Sequence, residues 1–79
     1  MKMVYHPRPT QEEKFRLHVR KTLIELREKH GLRQHEVAQS LHIDRSTYSY
    51  YELGSTMPSL YMIHKIACFY DCPVCKFFP

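Results

Sequence analysis

Seventy-nine residues accommodate one small domain, whose core supplies only about 3–5 kcal/mol of net stability, so a multidomain enzyme with a large cleft is excluded. Apolar residues at 43% and charged residues at 25% exclude disorder, and no run approaches the ~18–20 apolar residues of a membrane span. Twelve Lys and Arg against eight Asp and Glu leave +4, with six His able to add charge in acid, a balance that suits a polyanion or merely a soluble basic surface.

The chain opens Met1-Lys2-Met3-Val4-Tyr5-His6-Pro7, with no apolar stretch behind its single Lys, so no signal peptide is expected. Three cysteines without a secretion signal fit a reducing cytoplasm better than a disulfide framework. Pro7 and Pro9 around Arg8 make residues 1–10 read as an extended arm, with residues 11–79 as the domain. Thr10-Gln11-Glu12-Glu13 is a capping box that starts a helix at Gln11. Phe15, Val19, Leu23 and Leu26 then recur at helical spacing until His30-Gly31 ends the run. A second run spans Gln34 to Ser40 with Val37, Ala38 and Leu41 inward, and Leu41-His42-Ile43 connects it onward. Asp44 is a suitable N-cap for the third run, Arg45 to Leu53, which Gly54 closes. Ser59 caps a fourth helix carrying Leu60, Ile63, Ile66, Ala67 and Tyr70 as its inward stripe, with Asp71 just past its end. Pro73 suits the first turn of a short fifth helix holding Val74, Phe77 and Phe78. No alternating run predicts a strand. The expected fold is all-α, with five short helices.

Two helices of about two turns each, joined by three or four residues with a small residue in the first, make the helix-turn-helix pattern. Ala38 is that small residue, and a bulkier side chain there would push the two helices apart. Gly31-Leu32-Arg33-Gln34-x-x-Val37-Ala38, then Ile43-Asp44-Arg45-Ser46-Thr47-Tyr48-Ser49, then Tyr51-Glu52-x-Gly54 and Pro58-Ser59-Leu60 follow in order. Over roughly Phe15 to Phe78 the chain resembles the Cro/repressor-type (XRE, lambda-repressor-like) helix-turn-helix family of DNA-binding domains.

The resemblance implies that the second helix of the unit lies in the major groove with its first residues at base edges. Carried over by position, Arg45, Ser46, Ser49 and Tyr50 become the base-contacting set. Their chemistry agrees: an Arg fork can grip guanine O6 and N7, worth about 1–3 kcal/mol of discrimination. Ser46 can donate to a base, and Tyr50 can pack on a thymine methyl. Backbone phosphates are expected at Arg33, Gln34, Thr47, Ser55 and Thr56, the first two because helix starts favour anions. Gln34 resembles the family's phosphate-clamping glutamine, whereas Arg33 stands where many relatives carry a capping Ser or Thr. The loop at Ser55-Thr56 lacks the Lys or Arg that many relatives have there, and Lys2 and Arg8 of the arm are alternative DNA contacts. Arg27 and Glu52 resemble a family ion pair tying the first helix to the recognition helix, and Tyr48 and Tyr51 occupy usually aliphatic core positions.

His64, Cys68, Cys72 and Cys75 could in principle bind zinc, but the usual double pairing of ligands is absent and Cys72 suits a buried apolar position, so no metal or other cofactor is expected. Six His and three Cys in a scaffold this small assemble no evident pocket, so no enzyme is expected. Met62, Cys68, Phe69 and Cys75 stand where relatives are commonly polar, which points to a homodimer through the fourth and fifth helices. A two-fold pair would set two recognition helices about 34–36 Å apart on a pseudo-palindromic operator of double-stranded DNA. The length leaves no evident place for a domain that binds a small-molecule effector. The resemblance and these features together predict a sequence-specific transcriptional regulator acting in the cytoplasm, and the family's distribution implies a bacterium, a phage or a mobile element as its source. A protein-protein interaction module on the same fold, such as an antitoxin, remains the alternative.

Overall fold

Helix α1, Gln11–Lys29, begins where its capping chemistry directs in a computed structural model that describes residues 10–79. The arm over 1–9, with Lys2 and Arg8, lies outside the described residues. Thr10 Oγ1 accepts from the Glu13 N–H at 3.1 Å while the Glu13 carboxylate accepts from the Thr10 N–H at 2.9 Å, a reciprocal capping box. At the other end Gly31 adopts φ +66°, a left-handed conformation that a side chain would strain. The chain there turns back so that the Leu32 N–H donates to the Arg27 carbonyl at 3.0 Å.

Helices α2 (Gln34–Leu41), α3 (Arg45–Leu53) and α4 (Leu60–Tyr70) follow, then a single 3-10 turn over Val74–Phe77. Among the described residues there is no strand, and no helix is long and apolar enough to cross a membrane. Val19, Leu23 and Leu26 of α1 meet Val37, Ala38 and Leu41 of α2, with Tyr48 and Tyr51 of α3 and Ile63, Ile66 and Ala67 of α4 closing the core. Ala38 is 2% exposed in the core that α2 shares with α3, a close-packed place for a small side chain. Lys65 reaches from α4 to the Leu41 carbonyl at 2.6 Å and so satisfies the end of α2.

Four expectations change. Leu41 belongs to α2, and the link is shorter because His42 itself takes the left-handed conformation, φ 61° and ψ 42°. Asp44 occupies the N-cap of α3, yet its side chain makes no capping bond. Leu60 is 73% exposed, because the first residue of α4 overhangs the core and lines an apolar groove of about 320 Å³ with Phe15, Met57 and Phe78. The fifth helix is one 3-10 turn that excludes Phe78. The Lys76 carbonyl accepts from His18 Nε2 at 3.0 Å instead of a further turn, and Phe77 is fully buried while Phe78 turns out against Phe15 at 5.6 Å between ring centres.

Candidate nucleic-acid interface

Along α3, Tyr48, Tyr51 and Glu52 are buried at three- and four-residue spacing, which fixes how the rest of the helix points. Arg45, Ser46 and Tyr50 are exposed, and Ser49 and Thr47 are half-buried. Positions 45, 46, 49 and 50 therefore form one outward strip. Leu53, 58% exposed and four residues after Ser49, extends the strip at its C-terminal end. Sequence reasoning passed over Leu53, although the i, i+4 spacing carries the signal.

The inward side of α3 is locked at one carboxylate. Glu52 is 4% exposed and accepts from Arg27 Nε at 2.6 Å, Arg27 Nη2 at 3.0 Å, Gln34 Nε2 at 3.0 Å and the Tyr48 hydroxyl at 2.6 Å. Arg27 also donates to the Leu32 carbonyl at 3.0 Å, so α1, the α1–α2 link, the start of α2 and α3 meet there. Burial opposes the charge on Glu52, but the bonds from Arg27, Tyr48 and Gln34 outweigh it and hold its carboxyl below the usual range. Burial first, and then the bond to Glu52, pushes the Tyr48 hydroxyl far above a normal phenol. Arg27 is raised by the same Glu52 contact. This network is a rigid frame and titrates nowhere near neutrality.

At the start of α2 no side chain caps the helix, because arginine at the N-cap carries no acceptor. Glu36 supplies half of a capping box by accepting from the Arg33 N–H at 2.8 Å. Arg33 is thus an exposed cation at the N-terminal end of α2, where the Glu36 carboxylate takes one of the free N–H groups. Gln34 has one amide N–H on Glu52 and a second left over, a bond to the frame that sequence reasoning missed. Ser55 and Thr56, phosphate candidates in the loop after α3, could offer N–H groups as well as hydroxyls. Both N–H groups instead return to the Tyr50 carbonyl at 3.1 and 3.4 Å to close α3, which leaves only their exposed hydroxyls.

The patch anticipated on α4 and the last turn is partly different. Met62 is half-buried against the core, whereas Cys68, Phe69 and Cys75 are exposed, and Leu60 and Tyr61 at 73% and 69% are more exposed still. His64 Nε2 stands 3.7 Å from Cys68 Sγ, but no three His, Cys, Asp or Glu side chains among the described residues gather closely enough to hold a metal ion. Cys72 packs half-buried against the core, and that burial pushes its thiol up.

A helix-turn-helix family model matches residues 23–77. The cryptic phage CTXphi transcriptional repressor RstR of Vibrio cholerae is 36% identical over 52 residues, covering 66% of this chain and 47% of the repressor. The crystal structure of a transcriptional regulator from Listeria innocua superposes with a TM-score of 0.71 at 25% identity, covering 76% of this chain and 56% of that one. The chain thus spans about half the length of the relatives it matches. Since the match over residues 23–77 takes in well over half of the sequence and contains both helices of the unit, the chain belongs to the helix-turn-helix family.

Proposed function

We propose that this protein is a sequence-specific DNA-binding transcriptional regulator that lays α3 in the major groove. The observation that carries this reading is the outward strip of Arg45, Ser46, Ser49 and Tyr50 on a helix whose other side is pinned to the frame at Glu52. Arg45 reads guanine, and Ser46, Ser49 and Tyr50 contact neighbouring base edges. Arg33, the second N–H of Gln34, and the hydroxyls of Thr47, Ser55 and Thr56 grip phosphates on either side. The repressor and the regulator to which the chain is similar support a role in transcription. Two copies joined through α4 and the last turn place their α3 helices about 34–36 Å apart on a pseudo-palindromic site.

Electrophoretic mobility shift across a salt series tests this reading. Binding to duplex DNA that weakens steeply with salt is expected, and selection from randomised duplexes then yields a two-fold site. Absence of binding at low salt would sink it and leave the protein-interaction module in its place.

A further inference from the structure

The loop after α3 carries no Lys or Arg, yet a cation stands beside it. Arg20 lies on α1 seven residues before Arg27, about 10.5 Å along the helix axis and on nearly the same side. Since Arg27 bonds Glu52 near the end of α3, that side of α1 runs past the helix terminus. The stem of Arg20 passes near the turn that ends α3, where a methyl added at Gly54 would stand 3.8 Å from Arg20 Cδ. A shallow groove joins Arg16, Leu17 and Arg20 of α1 to Leu53 and Gly54, with Glu13 at its edge.

The neighbouring charges are occupied. Glu13 accepts from the Thr10 N–H and hydroxyl at 2.9 and 3.3 Å, and Arg16 donates to Glu12 at 3.1 and 3.2 Å. Arg20 is exposed and makes no hydrogen bond or ion pair with another described residue. Arg20 thus lies by Leu53 and Gly54, and the next two residues of the chain, Ser55 and Thr56, have exposed hydroxyls and N–H groups that are already used.

We propose that Arg20, on α1, grips a DNA backbone phosphate at the C-terminal end of the recognition helix, with the hydroxyls of Ser55 and Thr56 beside it. The inference rests on the DNA-binding reading and extends it to a helix outside the helix-turn-helix unit. A guanidinium fork matches two phosphate oxygens, and Arg20 gives up no bond to another described residue in making that contact. The contact carries no base information. It anchors the far end of α3 as Arg33 and Gln34 anchor the near side.

The test measures Kd for two unrelated duplexes from 50 to 200 mM salt, for wild type, Arg20→Ala, Arg20→Lys and Arg45→Ala. A phosphate contact adds about 0.9 to the slope of log K against log salt, or about 3.5-fold in affinity over that range. Arg20→Ala should lose that slope and weaken both duplexes by the same factor, while Arg20→Lys keeps most of it. Thermal melts should coincide with wild type, since Arg20 is exposed. Should the alanine variant fold poorly, Arg20→Gln removes the charge and keeps the stem. An unchanged slope in Arg20→Ala, with a wild type that binds DNA, overturns the contact alone, as does a loss confined to one base position. A wild type that binds no duplex overturns the DNA reading and this contact with it.

Discussion

Glu52 stays charged in the core because four hydrogen bonds from Arg27, Gln34 and Tyr48 fill its two oxygens. Its carboxyl titrates lower in the folded chain than in the unfolded one, so the unfolded state takes up protons first as pH falls. Stability from this group is complete above about pH 4.5, the unfolded value, and drains away in more acid solution. At the alkaline end the sign reverses. Burial pushes the Tyr70 hydroxyl up to about 12 and Tyr48 higher, so stability falls once the unfolded phenols ionise above pH 10. Urea melts between pH 3 and pH 11 should give a plateau with both flanks. Tyr48→Phe should cost about 1–3 kcal/mol by leaving one carboxylate oxygen short of a donor. It should also start the acid loss at higher pH, because the folded carboxyl moves back toward its ordinary range. An acid flank that does not move would take Tyr48 out of the frame. For DNA, Arg45→Ala should relax specificity at one base position by about 1–3 kcal/mol, read by competition among single-base variants of the selected site. Gln34→Ala should instead weaken every sequence alike and also lower stability, since its amide bonds Glu52 and its second N–H is proposed to meet phosphate. The Arg27–Glu52 pairing was legible from position in the family pattern. The contributions of Gln34 and Tyr48 were not, because they depend on which carboxylate oxygen each helix presents.

At the scale of elements, the boundaries legible in the sequence are those marked by local chemistry. Thr10 with Glu13, the glycines at 31 and 54, and Ser59 each act within three or four residues of themselves, and the helices begin and end there. Expectations drifted where tertiary geometry decides. Leu60 fits the helical stripe of α4 but overhangs the core, and the last turn tightens because His18 takes the Lys76 carbonyl. Asp44 and Ser59 make the contrast testable. Ser59 Oγ accepts from the Met62 N–H at 3.0 Å, whereas the Asp44 side chain accepts no capping bond. Ser59→Ala should cost about 1 kcal/mol, and Asp44→Ala clearly less, in chemical denaturation. Equal losses would show that Asp44 caps α3 in solution. The turn between α2 and α3 offers a second handle. His42 at φ 61° bears a left-handed strain of about 1–2 kcal/mol, partly offset in a glycine variant by the greater freedom of its unfolded chain. His42→Gly should therefore hold or gain stability, while His42→Val, branched at Cβ, should lose it. A valine variant as stable as the histidine would mean that the turn is built differently.

For the molecule as a whole, smallness means that each packing contact is a large share of the total. The match to the helix-turn-helix family runs to residue 77, and the structure supplies a physical reason for that reach. Phe77 is fully buried in the single turn after α4, and His18 holds the carbonyl just before it from α1. This turn packs on both α1 and α4 and so bridges the two ends of the described chain, and α1 in turn carries Arg27 to α3. Removing a buried phenyl ring costs about 3–5 kcal/mol, comparable with the entire net stability of a domain this size. Phe77→Ala should therefore lose most of its helical circular dichroism at 25 °C, although Phe77 is not among the residues assigned to DNA. Ligand binding should recover part of that loss. DNA that binds only the folded state at about one hundred times its Kd adds about 2.7 kcal/mol, so a selected duplex should restore helicity to the variant while an unselected one does so far less. A Phe77→Ala protein that melts cooperatively within 1 kcal/mol of wild type would make the last turn an appendage. One that unfolds and is not rescued by DNA would separate the fold of this end from the function of the other.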